Sequence, residues 1–333
     1  MVTSDCMRPK WQALSTHGLK RKKIFQSILF PVDFSPACKR AAPYVRNLAE
    51  LTGGTVTLFH VVPWRSAWYG AADVQDDENS YERLRGIKRA QLCALAAFQD
   101  QYFEAVPCEK RVEAGCIGEQ IADYAEHTGT DLIMMATGVR ADCPRRFVSP
   151  TLTHVLREAP CPVWTAPQSD RLRSFEGFNN IICALPQEGI SGTYVNEAVA
   201  VADVFGSKLT FVSAVSPGVA RTEECRVLSL EEEFPEAGLD QLASGSRLPV
   251  YVETGPVGHV VRHIAEIQSA DLVVINRRHR SHYSKTLDGH TQEIVMDAPC
   301  PILVLPARVA AASVSVLVAV FDENRYAVAG VGV

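Results

Sequence analysis

An aspartate and two clusters of arginines are the residues of this 333-residue chain best suited to binding a ligand. Asp33 directly follows an apolar run, in ILFPVDF. The basic residues of the two later loops are Arg140, Arg145 and Arg146 in the first, and Arg277, Arg278, Arg280 and Lys285 in the second. A guanidinium group binds carboxylates and phosphates through two parallel hydrogen bonds. The arginines therefore predict either an anion-binding site, best formed by Asp33 and Arg140, or loops whose charges are simply solvated.

Catalytic motifs are missing from the sequence. It has no G-x-S-x-G, no H-E-x-x-H and no phosphate-binding lysine of the P-loop type. Cys143 lies beside Arg145 and Arg146, which predicts either a reactive thiolate that senses oxidants or a merely exposed thiol. We therefore predict no catalytic residues and a protein that is not an enzyme.

Two groups of histidines have spacings that could suit a metal ion. His259 and His263 are four residues apart on a predicted helix, and His279, His282 and His290 lie in or next to the second arginine-rich loop. The sequence places no acidic or cysteine ligand beside the first pair, and the second group would suit phosphate as well as metal. We predict no metal site.

The elements that must position these residues alternate between strand and helix. Residues 24–34 predict a first strand, the next segment predicts a helix ended by Gly53 and Gly54, and TVTLFHVVP predicts a buried strand. A long helix is predicted for about 78–102, and the strands CEKRVEAG, DLIMMAT and CPVWTAP follow with helices between them. Apolar strands that alternate with helices indicate a parallel sheet covered on both faces. The pattern predicts a doubly wound α/β domain.

The same order of elements returns from Phe178. Ala-Pro-Cys-Pro occurs at Ala159 and again at Ala298, and Asp131 has its counterpart at Asp271, so the period is close to 140 residues. This is a tandem repeat. We predict domains at 24–168 and 177–306, a basic leader at 1–23 and a tail at 307–333. The leader is expected to be flexible rather than an arm that contacts nucleic acid or membrane, and the tail is either an extra strand or an exposed apolar segment.

The first unit resembles the universal stress protein family. The resemblance is carried by ILFPVDFSPACKRAAPYVRNLAELTGGTVTLFHVVP, AEHTGTDLIMMATG and VLREAPCPVWT, and the second unit shows it more weakly. It implies two five-stranded parallel α/β sheets that pair through their fifth strands, here at 162–165 and 301–305. Such a pairing would form a pseudo-dimer within one chain and would hide two sheet edges.

The resemblance also implies where a nucleotide would bind. Nucleotide-binding members carry an aspartate after the first strand and G-x2-G-x9-G-[ST] after the fourth, at the start of the last helix. Asp33 matches the aspartate, but Ala136, Val139 and Ser149 stand on the glycine positions and Pro150 on the Ser/Thr position. Proline has no N–H for a phosphate to accept from. The candidate nucleotide pocket, with a degraded motif, comprises Asp33, Val61, Ala136, Val139, Arg140 and Ser149.

The second unit departs further from the motif. Pro186 replaces the aspartate, Asn276 and His279 stand on the first two glycine positions, and either Asp288 or Gly289 stands on the third. The resemblance therefore implies a non-enzymatic stress-response protein that binds a partner or a small ligand, without the full ATP signature in either unit. Two alternatives remain: a switch that binds ATP or AMP in the first unit, and a hydrolase on the same fold.

The composition narrows the class of partner. The net charge of −5 provides no general attraction to nucleic acid or anionic membranes. Ten cysteines without a C-x-x-C motif, and no secretory signal, are typical of a cytoplasmic protein with free thiols. We expect a protein partner or a small anionic ligand, no nucleic acid and no membrane, and either the pseudo-dimer alone or a further homodimer.

Overall fold

The computed structural model describes residues 24–63, 78–136, 148–166, 177–186, 192–215, 226–229, 249–277 and 287–306. The predictions for the leader at 1–23 and the tail at 307–333 lie outside these residues, as do those for most of the two arginine-rich loops.

Within its described residues the first unit alternates between strands and helices, as predicted. In chain order its described elements are β1 (Ser27–Pro31), α1 (Pro36–Thr52), β2 (Thr55–Pro63), α2 (Glu78–Tyr102), β3 (Cys108–Gly115), α3 (Ile117–Thr128), β4 (Leu132–Met135), α4 (Pro150–Glu158) and β5 (Val163–Thr165). Gly53 ends α1 in the left-handed conformation, with φ of 68°, which explains the predicted stop.

The second unit repeats this order except between Val215 and Pro249, where the described residues form a short strand and no helix corresponding to α2. Its described elements are β6 (Asn180–Ala184), α5 (Gly192–Phe205), β7 (Lys208–Val215), β8 (Arg226–Ser229), β9 (Pro249–Thr254), α6 (Val257–Ile267), β10 (Leu272–Asn276), α7 (Gly289–Asp297) and β11 (Ile302–Leu305). The predicted five strands were one too few, because β8 pairs antiparallel with the outer edge of β9. A four-residue strand is too short to leave a clear period in the sequence.

The described strands form one sheet in the order β3-β2-β1-β4-β5-β11-β10-β6-β7-β9-β8. The predicted pairing of the two fifth strands is confirmed, since β5 and β11 pair antiparallel with Trp164 opposite Leu303. The neighbouring strands β4 and β10 run parallel to β5 and β11 respectively. Strand direction therefore reverses at this junction, and the carboxyl ends of the parallel strands in the two units lie at opposite edges of the sheet.

Each face of the sheet carries one hydrophobic core. One core packs side chains of α1, α2 and α5 against the sheet, and the other packs those of α3, α4, α6 and α7. Neighbouring residues of a strand enter opposite cores, as Leu29 and Phe30 do, because side chains alternate between the two faces. Each core includes residues of both units, so the two halves share their apolar interior.

The repeated aspartates have the same structural role in both units. Asp131 accepts hydrogen bonds from the backbone N–H groups of Gln26 (2.8 Å) and Ser27 (3.0 Å). Asp271 accepts from Asn179 (2.9 Å) and Asn180 (3.0 Å). Asp131 thus joins the start of β4 to the start of β1, and Asp271 joins the start of β10 to the start of β6.

Candidate functional site

Three of the predicted pocket residues, Asp33, Val61 and Ala136, lie toward the carboxyl ends of neighbouring strands of the first unit. Pro31 of β1 is opposite Phe59 of β2, so continuing the register brings Val61 level with Asp33. Leu29 is opposite Ile133 of β4, which brings Ala136 level with the residue before Asp33. The strand order reverses at β1, and such a reversal is where open α/β sheets bind ligands.

Asp33 is exposed and forms the turn into α1. Its Oδ1 accepts a hydrogen bond from the backbone N–H of Ser35 at 2.9 Å. Ser35 is the N-cap of α1, and its hydroxyl accepts from the N–H of Cys38 at 3.1 Å. The local sequence Asp-Phe-Ser-Pro therefore turns the chain sharply at the end of β1 and leaves a carboxylate at the edge of the sheet.

The Cys38 thiol lies beneath this carboxylate and is not set up to react. Burial raises its pKa to about 12, and the negative charge of Asp33 also acts to raise it. The thiol therefore stays protonated near neutral pH and is a poor nucleophile.

Aromatic residues that the sequence did not single out stand beside Asp33. The ring centroids of Phe34 and His60 are 5.2 Å apart, and Phe34 meets Phe98 edge-on at 6.0 Å. His60 Nδ1 lies 2.7 Å from the carbonyl oxygen of Val32, which holds the ring in place. Phe34 has φ of 61°, a strained conformation for a bulky residue. The one sequence signal is His60, the polar residue in the otherwise apolar second half of β2.

The N-terminus of α4 has little free capacity to bind phosphate. Ser149 is its N-cap, and the hydroxyl accepts from the N–H of Leu152 at 3.2 Å. Pro150, the first residue of the helix, has no N–H. Of the first three helical amides, only that of Thr151 is left for a ligand. Helix N-termini bind phosphate through such amides.

The corresponding helix of the second unit is capped by an anion of its own. Asp288 is the N-cap of α7 and accepts from the N–H (2.9 Å) and the hydroxyl (2.7 Å) of Thr291. Ser149 and Asp288 share this cap position, so Asp288 stands on the third glycine position and Gly289 corresponds to Pro150. This carboxylate already interacts with the positive end of the helix dipole, and its negative charge would repel a phosphate.

A buried tyrosine fills the point at which the strand order reverses in the second unit. The hydroxyl of Tyr194 donates to the carbonyl oxygen of Ala184 at 2.8 Å and lies 3.3 Å from that of Val274. These carbonyls belong to β6 and β10, the two strands that part there. Burial raises the pKa of Tyr194, so the phenol stays protonated. A side chain of the protein thus occupies this crevice.

Arg277 joins the two units through hydrogen bonds to the backbone. Its guanidinium donates to the carbonyl oxygens of Leu156 (3.1 Å) and Ala159 (2.9 Å) at the end of α4. Terminal carbonyls of a helix need such partners. Arg277 fits neither alternative predicted for its loop, an anion-binding site or a solvated charge, because its guanidinium is bonded across the sheet junction. Val139, Arg140, Arg145, Arg146, Arg278, Arg280, Lys285, Cys143, His279 and His282 lie outside the described residues.

The histidine pair of α6 has an acidic neighbour that the sequence did not place. Nδ1 of His263 lies 2.9 Å and 3.1 Å from the two carboxylate oxygens of Glu253 on β9. Even so, the described residues contain no cluster of three or more histidines, cysteines or acids able to hold a metal. No helix within the described part of the chain has the length and apolar character needed to cross a membrane.

Comparison with known proteins places this architecture in a family. The chain resembles a universal stress protein from Archaeoglobus fulgidus (16% identity, 86% of this chain and 98% of that one, TM-score 0.60). It also resembles a functionally unknown protein from Pseudomonas aeruginosa (19% identity, 85% of this chain and 93% of that one, TM-score 0.57). At these identities the likeness shows the fold alone. No curated protein matches significantly. The sequence profile of the universal stress protein family matches twice, at residues 25–167 and 177–306, so the chain belongs to the universal stress protein family.

Proposed function

We propose that the chain is a cytoplasmic, non-enzymatic stress-response protein that binds a partner or a small ligand at the carboxyl edge of its first unit. The glycine loop that would hold ATP is degraded in both units. The observation that carries this proposal is the capped start of α4, where Ser149 uses one amide and Pro150 lacks another.

The two units have different roles in this proposal. In the second unit, Asp288 caps α7 with a negative charge and Tyr194 fills the crevice between β6 and β10. Both features favour a structural role for that unit. The first unit keeps an exposed carboxylate at its edge.

The groups at this edge favour a particular kind of ligand. Asp33 can accept a hydrogen bond from an N–H or O–H group, and the rings of Phe34 and His60 can pack against a flat or apolar group. A chain of phosphates would find few donors among the described residues. The ligand is therefore expected to be recognised by its ring or apolar part.

The second candidate function is a switch that responds to ATP or AMP. It is favoured by the alignment of Asp33, Val61 and Ala136 at one edge of the sheet. Of the candidate functions, a hydrolase is the one that the described residues favour least. The one thiol close to Asp33 among the described residues, Cys38, has a pKa raised to about 12 by burial.

Calorimetric titration of the nucleotide-stripped protein with ATP, AMP and adenosine tests the proposal. We expect no saturable binding of ATP or AMP at ligand concentrations up to about 1 mM. A dissociation constant of about 1 mM corresponds to a binding free energy of about −4 kcal/mol. Asp33→Ala is the site variant, and Asp123→Ala is its control, because Asp123 is an exposed aspartate on α3. Saturable binding that Asp33→Ala abolishes and Asp123→Ala spares would overturn the proposal in favour of the switch.

Restoring part of the family's glycine motif tests why the first unit is expected not to bind ATP. Ser149→Gly with Pro150→Ser recreates the Gly-Ser pair of the family motif and returns an amide to the start of α4. If the capped helix end is what excludes phosphate, this double variant binds ATP at least about tenfold more tightly than the parent chain, a gain of about 1.4 kcal/mol. Unchanged ATP affinity would count against the helix end as the cause.

A further inference from the structure

We propose that the edge formed by β3 and α2 is a homodimer interface. In this dimer β3 pairs antiparallel with β3 of a second copy about a twofold axis at Val112. The inference goes beyond the proposed function and does not depend on it.

β3 is the outermost strand of the first unit in the described sheet. Its counterpart in the second unit, β9, has the same edge covered by β8 in antiparallel pairing. An uncovered edge presents unpaired N–H and C=O groups to any strand of suitable register. Among the described residues, the same fold thus covers this edge in one unit and leaves it open in the other.

The backbone of β3 restricts which residues can pair. The carbonyl oxygen of Pro107 accepts from the N–H of Val56 at 2.9 Å, so the backbone of Pro107 faces β2. Backbone direction alternates along a strand, and the odd-numbered residues of β3 therefore face β2. Lys110, Val112 and Ala114 face the open side. A second copy must align even-numbered residues with even-numbered residues.

Charge favours one register among those that remain. An axis at Val112 brings Arg111 opposite Glu113 of the second copy, and the same pair forms again by symmetry. Arg111 is 57% and Glu113 45% exposed, and in the dimer they would exchange their contacts within the chain, with Glu109 at 3.5 Å and Lys88 at 3.0 Å, for each other. An axis at Arg111 would instead oppose arginine to arginine and Glu109 to Glu113. An axis at Lys110 would also oppose Arg111 to Glu109, but it would place the two Lys110 residues opposite each other, whereas an axis at Val112 places two apolar residues there. Opposite charges in facing positions stabilise a strand pair and like charges destabilise it.

Exposed apolar side chains on α2 lie along the same edge. Gln99 accepts a hydrogen bond from Lys110, whose side chain is on the α2 side of the sheet, and Lys88 reaches Glu113 at 3.0 Å, so both α2 residues lie along the open edge of β3. Tyr81 and Leu92 lie on the same face of α2 as Lys88 and Gln99. Tyr81 is seven residues before Lys88, Leu92 is four residues after Lys88, and Gln99 is seven residues after Leu92, and these spacings repeat one face of a helix. Tyr81 is 60% and Leu92 40% exposed.

The apolar stripe and the charges select the same axis. Leu92 lies between Lys88 and Gln99 on α2. The partners of these two residues on β3 are Glu113 and Lys110, which lie on either side of Val112, so Leu92 is about level with Val112. A twofold axis at Val112 therefore brings the two copies of Leu92 together. Lys110 does not block the edge, because its amine is held by Gln99 on α2. A specific interface buries roughly 800 Å² on each partner, and the two α2 helices add to what the strands supply.

Sedimentation velocity of the full chain from about 1 to 100 µM tests the interface. We expect a dimer, and we expect Leu92→Glu to be monomeric across that range. The control is Leu51→Glu, because Leu51 is a 55% exposed leucine on α1, away from β3. It should remain dimeric. A parent chain that is monomeric throughout, or a Leu92→Glu variant that dimerises normally, would overturn the proposal.

A charge exchange tests the register itself. Arg111→Glu and Glu113→Arg should each weaken self-association by about tenfold, because like charges then face each other twice. Mixed in equal amounts, the two variants should associate as tightly as the parent, since each acid then faces an arginine of the other chain. The mixture also checks that both variants are folded. A mixture that associates no better than either variant alone would contradict the Val112 axis.

Discussion

At the scale of single residues, the buried side chain of Thr165 is the one expected to reduce the stability of the fold most clearly. Its side chain is fully buried in β5, and its hydroxyl has no hydrogen-bond partner among the described residues. An unpaired buried hydroxyl destabilises a protein, because it loses its hydrogen bonds to water. Thr165→Val replaces the hydroxyl by a methyl of similar size. We expect it to raise the free energy of unfolding by about 1 kcal/mol, measured by denaturant titration.

Thr291→Val is the matched control for that measurement. Thr291 is also buried, but its hydroxyl donates to Asp288 at 2.7 Å. Removing this hydroxyl should lower the free energy of unfolding by about 1 kcal/mol. Equal effects of the two substitutions would show that the hydroxyl of Thr165 has a partner.

At the scale of elements, two glycines determine how closely the last two helices of each unit approach. A Cβ on Gly118 of α3 would lie 2.8 Å from Cβ of His154 on α4, and a Cβ on Gly258 of α6 would lie 2.8 Å from that of Glu293 on α7. Gly118→Ala must push α3 and α4 apart. We expect it to lower the free energy of unfolding by about 1–3 kcal/mol, measured by thermal and denaturant unfolding.

A third glycine separates this packing effect from helix propensity. Gly86 lies within α2, and a Cβ there would meet nothing within 4 Å. Gly86→Ala should therefore raise the free energy of unfolding by about 0.5–1 kcal/mol, the usual gain for alanine in a helix interior. Gly118→Ala having the same sign as Gly86→Ala would refute the close contact of α3 and α4.

At the scale of the whole molecule, Arg277 links the two units across the β5–β11 junction. Its guanidinium donates to Leu156 and Ala159 of the first unit from the end of β10 in the second, and burial lowers its pKa. Arg277→Ala leaves the end of α4 without these donors. We expect a loss of about 2 kcal/mol in the free energy of unfolding, seen by calorimetry as a lower Tm. Arg277→Lys should recover only part of it, because one ammonium cannot reproduce the planar fork.

An exposed ion pair provides the comparison for Arg277. Arg262 and Glu266 are 2.9 Å apart on α6, and both are about half exposed. Arg262→Ala should change the free energy of unfolding by less than about 1 kcal/mol, because solvent screens such pairs. If Arg277→Ala cost no more than Arg262→Ala, the link between the units would be of little energetic consequence.

Much of this architecture was determined by the sequence alone. The alternation of apolar strands with helices, the stop at Gly53 and the period of about 140 residues that pairs Asp131 with Asp271 all follow from local patterns. Those patterns report side-chain periodicity and backbone preference, which need no distant partner. The position of Asp33 at the end of β1 follows in the same way.

Only the tertiary structure decided how particular polar side chains are used. Arg277 bonds to carbonyls more than 100 positions earlier, Tyr194 closes the crevice of the second unit, and Glu253 meets His263. The presence of the short strand β8 and the alignment of Leu92 with Val112 also depend on the tertiary structure. A long polar side chain can satisfy its hydrogen bonds with whichever group the fold brings within about 3 Å. Residue type and spacing along the chain therefore leave its partner open, and only the packing of distant segments selects one.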